Sequence, residues 1–351
     1  MPVWIRGEGR PTYKQLEALA KATYTPFGYF FLSEPPEESI PIPDLRTIGN
    51  RFATNPSLDL LETVYLCQQR QSWFRDFMQS TGEKPLPFVG SASLKTNVKD
   101  AARDIGQVLC FNLKERSDMA TWTEALRHFG QQADSLGIMV MVSGIVGSNT
   151  RRSLDPQEFR GFALADPLAP LVFVNGNDSK AAQMFTMAHE LAHIWLGETA
   201  LSDLGAETMP SHEVEAWCNE VAGELLVPAI DLKKSLTNVG SLSNELYFLA
   251  RKFKVSTLVV LRRLYDIGQL TSSELWRTYS EEKNRLPKKT SGKGGDFYRT
   301  LSVRVGRRFA RALIASTFEG NTSFTETFRL LGVRKMATLR QLGHDLGVLQ
   351  P

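Results

Sequence analysis

Cysteine is scarce in this chain, and its scarcity excludes two kinds of architecture. Cys67, Cys110 and Cys218 are the only three in 351 residues, widely separated and odd in number. Such spacing supports neither a disulfide framework nor a Cys-x-x-Cys metal knuckle, and it suits a reducing compartment. No apolar run approaches the roughly 20 residues of a membrane span. The N-terminus lacks the cationic stretch and apolar core of a secretory leader. A soluble, cytoplasmic protein with no membrane partner is therefore expected. An excess of one charge is also lacking, since the formal net charge is only +3. What is present is a 42% hydrophobic fraction, enough for a substantial core in a chain long enough for two or three domains.

Apolar spacing and turn residues divide the chain. "PTYKQLEALAKATYTPFGYFFL" predicts a helix from about Thr12 to Ala22, with Leu16, Leu19 and Ala20 on one face. "SEPPEESIPIP" (33–43) is proline-rich and acidic and reads as a linker, and residues 57 to about 135 read as mostly helical. Three short segments rich in β-formers follow: "GIMVMVSG" (137–144), "FRGFAL" (159–164) and "LVFVN" (171–175). Helices resume from about Asp178 to about Trp276, and "EEKNRLPKKTSGKGGDF" then reads as a mobile loop before further helices. There is no internal repeat. The expected class is α+β: mostly helical, with a small mixed β-sheet packed on the helices that carry the site, and helical regions at both ends.

"FTMAHELAHIWLGE" (185–198) places two histidines four positions apart, with a glutamate directly after the first. At roughly 100° per residue, Met184, Met187, Ala188, Leu191 and Trp195 share one core-facing stripe. His189 and His193 fall nearly opposite, with Ala182 and Thr186. That face carries small side chains and no run of Lys or Glu, so it is expected to line a cleft. Positions i and i+4 lie one turn apart, so both imidazoles can converge on one ion. Glu190 can reach water activated by such an ion and act as its base. This is the H-E-x-x-H arrangement of metal-dependent peptidases. A core helix that happens to carry two histidines would show the same five residues, so a third ligand decides.

"SHEVEAWCNEVAGELLVP" (211–228) supplies the candidates. Ser211 can cap this helix, Glu213 suits its first turn, and Pro228 marks its end. Val214, Trp217, Cys218, Val221 and Leu225 form an apolar stripe, while Glu213, Glu220 and Glu224 share the far side as a solvated face. Glu215 instead lies on the flank of the stripe beside Asn219, Ala222 and Leu226, where a carboxylate needs a reason to be. Metal ligation is such a reason, so Glu215 is preferred over Glu220, with Asn219 able to orient a histidine. His212 reads as an exposed first-turn residue and Cys218 as a small core residue.

Together, "FRGFALADPLAPLVFVNGNDSKAAQMFTMAHELAHIWLGE" and "EAWCNEVAGELLVP" resemble the ImmA/IrrE family of metallopeptidases, over roughly residues 137 to 270. "LARKFKVSTLVVLRRLYDIGQL" is similar to that family as well. The resemblance implies a compact, zincin-like core of gluzincin type. Zn2+ would be held by His189, His193 and Glu215, with Glu190 as the catalytic base. It implies a zinc endopeptidase acting on a regulatory protein, an XRE-type repressor or antitoxin encoded nearby, in a stress regulon, mobile element or toxin–antitoxin pair. Two other functions stay open: a non-proteolytic regulator that binds a transcription factor, and a protease toxin of a toxin–antitoxin or phage-defence pair.

"WIRGEGRPTYKQLEALAKATYTPFGYFFLSEPPEESIPIPDLRT" resembles the back half of an XRE-type helix-turn-helix domain and its linker. The front half is missing, so direct DNA binding through this segment is not expected. The resulting plan is a partial helix-turn-helix-like segment (1–35), a linker and helical region (36–135), the peptidase core (136–276), and a basic loop with C-terminal helices (277–351).

A substrate segment is expected to add as a strand to an exposed sheet edge beside "FRGFAL", which nominates Arg160, Gly161 and Phe162 as substrate-binding residues. Arg160 is conceivable as an oxyanion stabiliser, though a structural role in the strand is preferred. Near the C-terminus, Lys283, Arg285, Lys288, Lys289, Lys293, Arg299, Arg304, Arg307, Arg308 and Arg311 face only Glu281, Glu282 and Asp296. Without interleaved aromatics this interval reads as a solvated loop feeding a basic helix, and not as a nucleic-acid surface.

Overall fold

The structure is a computed structural model that describes residues 4, 6–23, 25–34, 40–44, 47–48, 51–52, 56–202, 213–237, 241–285 and 297–349. The N-terminal part holds α1 (Tyr13–Thr23), a 3-10 turn (Phe27–Phe31) and a short antiparallel pair, β1 (Thr47–Ile48) and β2 (Arg51–Phe52). Four helices follow: α2 (Leu58–Ser80), α3 (Val98–Val108), α4 (Leu113–Asp118) and α5 (Trp122–Leu136). The central sheet is built from β3 (Met139–Ser143), β4 (Gly161–Leu164), β5 (Leu171–Asn175) and β6 (Ala200–Ser202). Helix α6 (Lys180–Leu196) lies between the last two strands, and α7 (Glu213–Leu226) comes next. The remainder is helical: α8 (Ala229–Ser235), α9 (Leu242–Phe253), α10 (Thr257–Asp266), α11 (Ser272–Arg285), α12 (Phe297–Val305), α13 (Arg307–Phe318), α14 (Phe324–Leu331) and α15 (Met336–Asp345). The fold is thus α+β, mostly helical with a small mixed sheet. None of the described helices is long and apolar enough to cross a membrane.

The sheet order is β3-β5-β4-β6, with β3 parallel to β5 and the other two pairings antiparallel. The unbroken apolar run of β5 fits a central strand covered on both sides, and all five of its residues are buried. Side chains alternate between two cores, as a pleated strand requires. Ala163, Val172 and Val174 join the cluster with α5, α6 and α7. Met139, Met141, Phe162, Leu164, Leu171 and Phe173 join the opposite one, with α2 and α12 to α15.

Several boundaries differ from the sequence expectation for identifiable reasons. Residues 81–97 are not helical, because Gly82, Pro85, Pro87 and Gly90 break the stretch expected to be helical there. The fourth strand, β6, was not anticipated; three residues are too few to show a period. Part of the supposed acidic linker is ordered structure: Ile42 is buried and Leu201 N donates to Pro43 O at 3.0 Å, so this segment docks on β6. Residues 35–39 of the linker lie outside the described residues. The basic breaker contributes its first five residues to α11, and 286–296 lie outside the described residues.

The first cluster is closely packed around Phe129 of α5, which is fully buried and stacks on Phe111 at a centroid distance of 4.1 Å. Phe129→Ala should cost about 3–5 kcal/mol through lost burial and an unfilled cavity, read as a lower midpoint in chemical denaturation.

Candidate metal centre

Helix α6 is joined to the sheet at both ends. Ser179 accepts from Ala182 N and starts the helix. Gln183 Nε2 then donates to Gly176 O (3.1 Å) and Asp178 O (2.7 Å), tying the first turn to the chain leaving β5. At the other end Gly197 takes a left-handed φ of 73°, and the chain returns to pair with β4 as β6. Helix α7 is set against α6 with α3 as a clamp. Trp195 Nε1 donates to Asp104 on α3 (2.8 Å), and Trp217 Nε1 donates to Thr96 O just before α3 (3.0 Å).

This packing brings three donor groups to one point. The Nε2 atoms of His189 and His193 are 3.0 Å apart. Glu215 Oε2 lies 3.2 Å from His189 Nε2, and Oε1 lies 3.2 Å from His193 Nε2. Among the described residues this is the group able to hold a metal ion. Glu215 belongs to this group, while Glu220 is exposed and lies outside it. His189, Glu190 and His193 have no accessible surface, and Glu215 is 5% exposed.

Burial pushes the Glu215 carboxyl up, but the imidazoles, His189 first, more than offset this and hold it well below the usual carboxylate range. Burial pulls His193 down, with Glu215 opposing, so its ring favours the neutral form. A neutral imidazole and a carboxylate are the protonation states a metal requires. His189 Nδ1 is buried without a hydrogen-bond partner, which leaves Nε2 as the productive face of that ring. Two imidazoles and a carboxylate together fit a divalent ion of mixed nitrogen and oxygen preference. The Cys218 thiol is raised far above its ordinary value, by burial first and then by Glu215, so it stays protonated and is a core residue.

Two family models match parts of this chain. Residues 133–265 match the family described as the IrrE N-terminal-like domain, and residues 305–345 match a domain of unknown function, DUF8813. Residues 133–265 form an ImmA/IrrE-family domain. The radiation response metalloprotease IrrE of Deinococcus deserti is 34% identical over 106 residues, which is 29% of this chain. That match spans 38% of the relative's length.

Within residues 133–265, several of the other nominated residues are placed differently from expectation. The histidine-bearing face does not line an open cleft: every residue from Gln183 to Trp195 except Phe185 is buried. Strand β4 is not a sheet edge, since β5 and β6 pair with its two sides, so a substrate strand cannot add next to "FRGFAL". Phe162 points to the opposite core and stacks on Phe173 at 4.9 Å, away from the metal centre. Arg160 is paired with Asp178 at 3.6 Å, the structural role preferred for it. Asn219 is half-buried and leaves the His189 Nδ1 unpartnered, so it does not orient that ring. Glu224, expected on a solvated face, instead pairs with Arg263 and accepts from Ala229 N (3.2 Å). Ser211 and His212 lie outside the described residues.

Gly161 has the clearest positional meaning. A Cβ there would fall 2.6 Å from Thr186 Cγ2, 2.8 Å from Phe173 O and 2.9 Å from Glu190 Oε1. Only a glycine lets α6 approach β4 so closely, and a glycine inside a strand pattern is the sequence signal for such an approach. Tyr279 of α11 comes within electrostatic reach of Arg160, the residue before β4. Burial raises its hydroxyl and the guanidinium partly opposes that. Gly161→Ala should displace Glu190 and cost about 1–3 kcal/mol from overpacking, measured as a drop in denaturation midpoint together with a shift of the Glu190 side chain in a crystal structure.

Proposed function

We propose that the ImmA/IrrE domain is a zinc-dependent endopeptidase whose substrate is a regulatory protein, an XRE-type repressor or antitoxin. The observation that carries the reading is the meeting of His189, His193 and Glu215 at one point, with Glu190 on the same helix. These three residues would hold the ion. When bound, the ion supplies Lewis acidity, which makes water nucleophilic near neutral pH and polarises a carbonyl. Glu190 takes the proton of the attacking water and returns it to the leaving amine. The absence of a side chain at Gly161 leaves room for the Glu190 carboxylate against the sheet. IrrE of Deinococcus deserti is named a metalloprotease, and that part of its name supports the reading. The XRE-like N-terminal segment motivates the class of partner.

Because His189, Glu190 and His193 have no accessible surface, the reading includes an opening step before a peptide reaches Glu190. The same burial favours a second reading, in which the chain binds a transcription factor without cutting it.

Two substitutions separate the roles. Glu190→Gln should retain about one zinc per chain by elemental analysis while cleavage falls by about 10²–10⁴-fold. Glu215→Ala should lose the zinc itself. The chain is co-expressed with its genomic neighbours and fragments are sought by mass spectrometry. A neighbour-derived fragment is expected with the unaltered chain and not with Glu190→Gln. A stable complex with no fragment from either would favour the binding-only reading, and undiminished cleavage by Glu190→Gln would remove Glu190 as the base.

A further inference from the structure

On the face of the sheet opposite the metal centre, two arginines are buried close together. Arg70 of α2 is 4% exposed and Arg304 of α12 is 7% exposed. Both line a small cavity of about 10 Å³ with Thr63, Cys67, Ser143 and Gly147. A guanidinium carries five N–H donors and no acceptor, and the acceptors supplied here are few. Arg70 Nε donates to Leu330 O (3.0 Å) and Nη1 approaches Met141 Sδ (3.7 Å). Arg304 Nη1 donates to Gly147 O and Ser148 Oγ, both at 3.3 Å. All four acceptors are neutral. Among the described residues no carboxylate pairs with either arginine, because Asp59 and Glu62 of α2 are already paired with Arg152.

Two like charges removed from water are costly unless an opposite charge is brought to them. Burial lowers both guanidiniums, and Arg304 lowers Arg70 further. The one side chain at the cavity that could turn negative does not do so: burial pushes the Cys67 thiol up to about 12, outweighing the pull of Arg70. The hydroxyl protons are also engaged, Ser143 Oγ donating to Ile145 O (2.7 Å) and Thr63 Oγ1 to Asp59 O (2.6 Å). Both arginines line the cavity, and Arg70 Nη2 and Arg304 Nε and Nη2 donate to no protein acceptor among the described residues.

We propose that Arg70 and Arg304 form a binding site for a small inorganic anion. The cavity admits roughly one water-sized sphere, which selects a monatomic halide such as chloride over a tetrahedral oxyanion. The ion would join α2, the exit of β3 and α12, and so tie the C-terminal helices to the sheet. The site is independent of the peptidase reading.

The test follows the melting of the full chain at fixed ionic strength while chloride replaces gluconate. The expected result is a saturable rise of about 3 °C, absent in Arg304→Gln and not reproduced by inorganic phosphate. Crystals of the unaltered chain soaked in bromide should show an anomalous peak between the two guanidiniums. A melt indifferent to chloride overturns the site, as does a chloride response unchanged in Arg304→Gln. A phosphate response exceeding that of chloride overturns the halide assignment. If Arg304→Gln does not fold, the bromide peak decides, and its absence overturns the proposal.

Discussion

Glu215 is a carboxylate placed almost wholly out of water between two imidazoles on another helix. A buried charge of this kind survives only when its partners are held in position. Most of the surrounding core does that work. Trp195 and Trp217 each spend their indole N–H on α3 or its approach, which sets the rotation of α6 against α7. If either helix turned by one residue, about 100°, the carboxylate and the two imidazoles would no longer meet. The candidate metal centre is therefore a property of the helix pair and its clamp as much as of the three residues themselves.

The sheet lets the two halves of the molecule share one support. Its residues alternate between the cluster under α6 and the cluster under α2 and the C-terminal helices. The faces differ in character. On the α6 side a glycine thins the wall until a glutamate carboxylate can lie against it. On the other side phenylalanines stack across strands, Phe162 on Phe173. The small residue therefore falls where close backbone approach is needed and the large ones where volume must be filled.

How much of this could be read from the residues alone follows from the range of the signals. The two histidines were legible because four residues is one helical turn, a local fact. Glu215 was legible because a carboxylate on the flank of an apolar stripe is an anomaly within its own helix. β6 was not legible, since "ALS" has no period to show, and its discovery removed β4 from the sheet edge. The closure of the histidine-bearing face was also hidden. Small side chains look alike whether they line a cleft or a tightly packed wall, and only the partner surface tells them apart. Arg304 misled in the same way. It stands among basic residues that suggest solvent, yet it is buried, because its depth is set by β3 and α2, which are distant in sequence.

The path of the chain from β5 through α6 to β6 has a mechanical consequence. The helix bearing both histidines leaves from one strand of the sheet and returns to it as another, with Gln183 fastening the departure and β6 fastening the return. A rod pinned at both ends to one plate acts as the fixed jaw of a vice. Any widening of the space around Glu190 would then fall to the α7 side, and Glu215, which α7 carries, would travel with it. The third donor would thus register the state of closure, while the first two are held by the sheet.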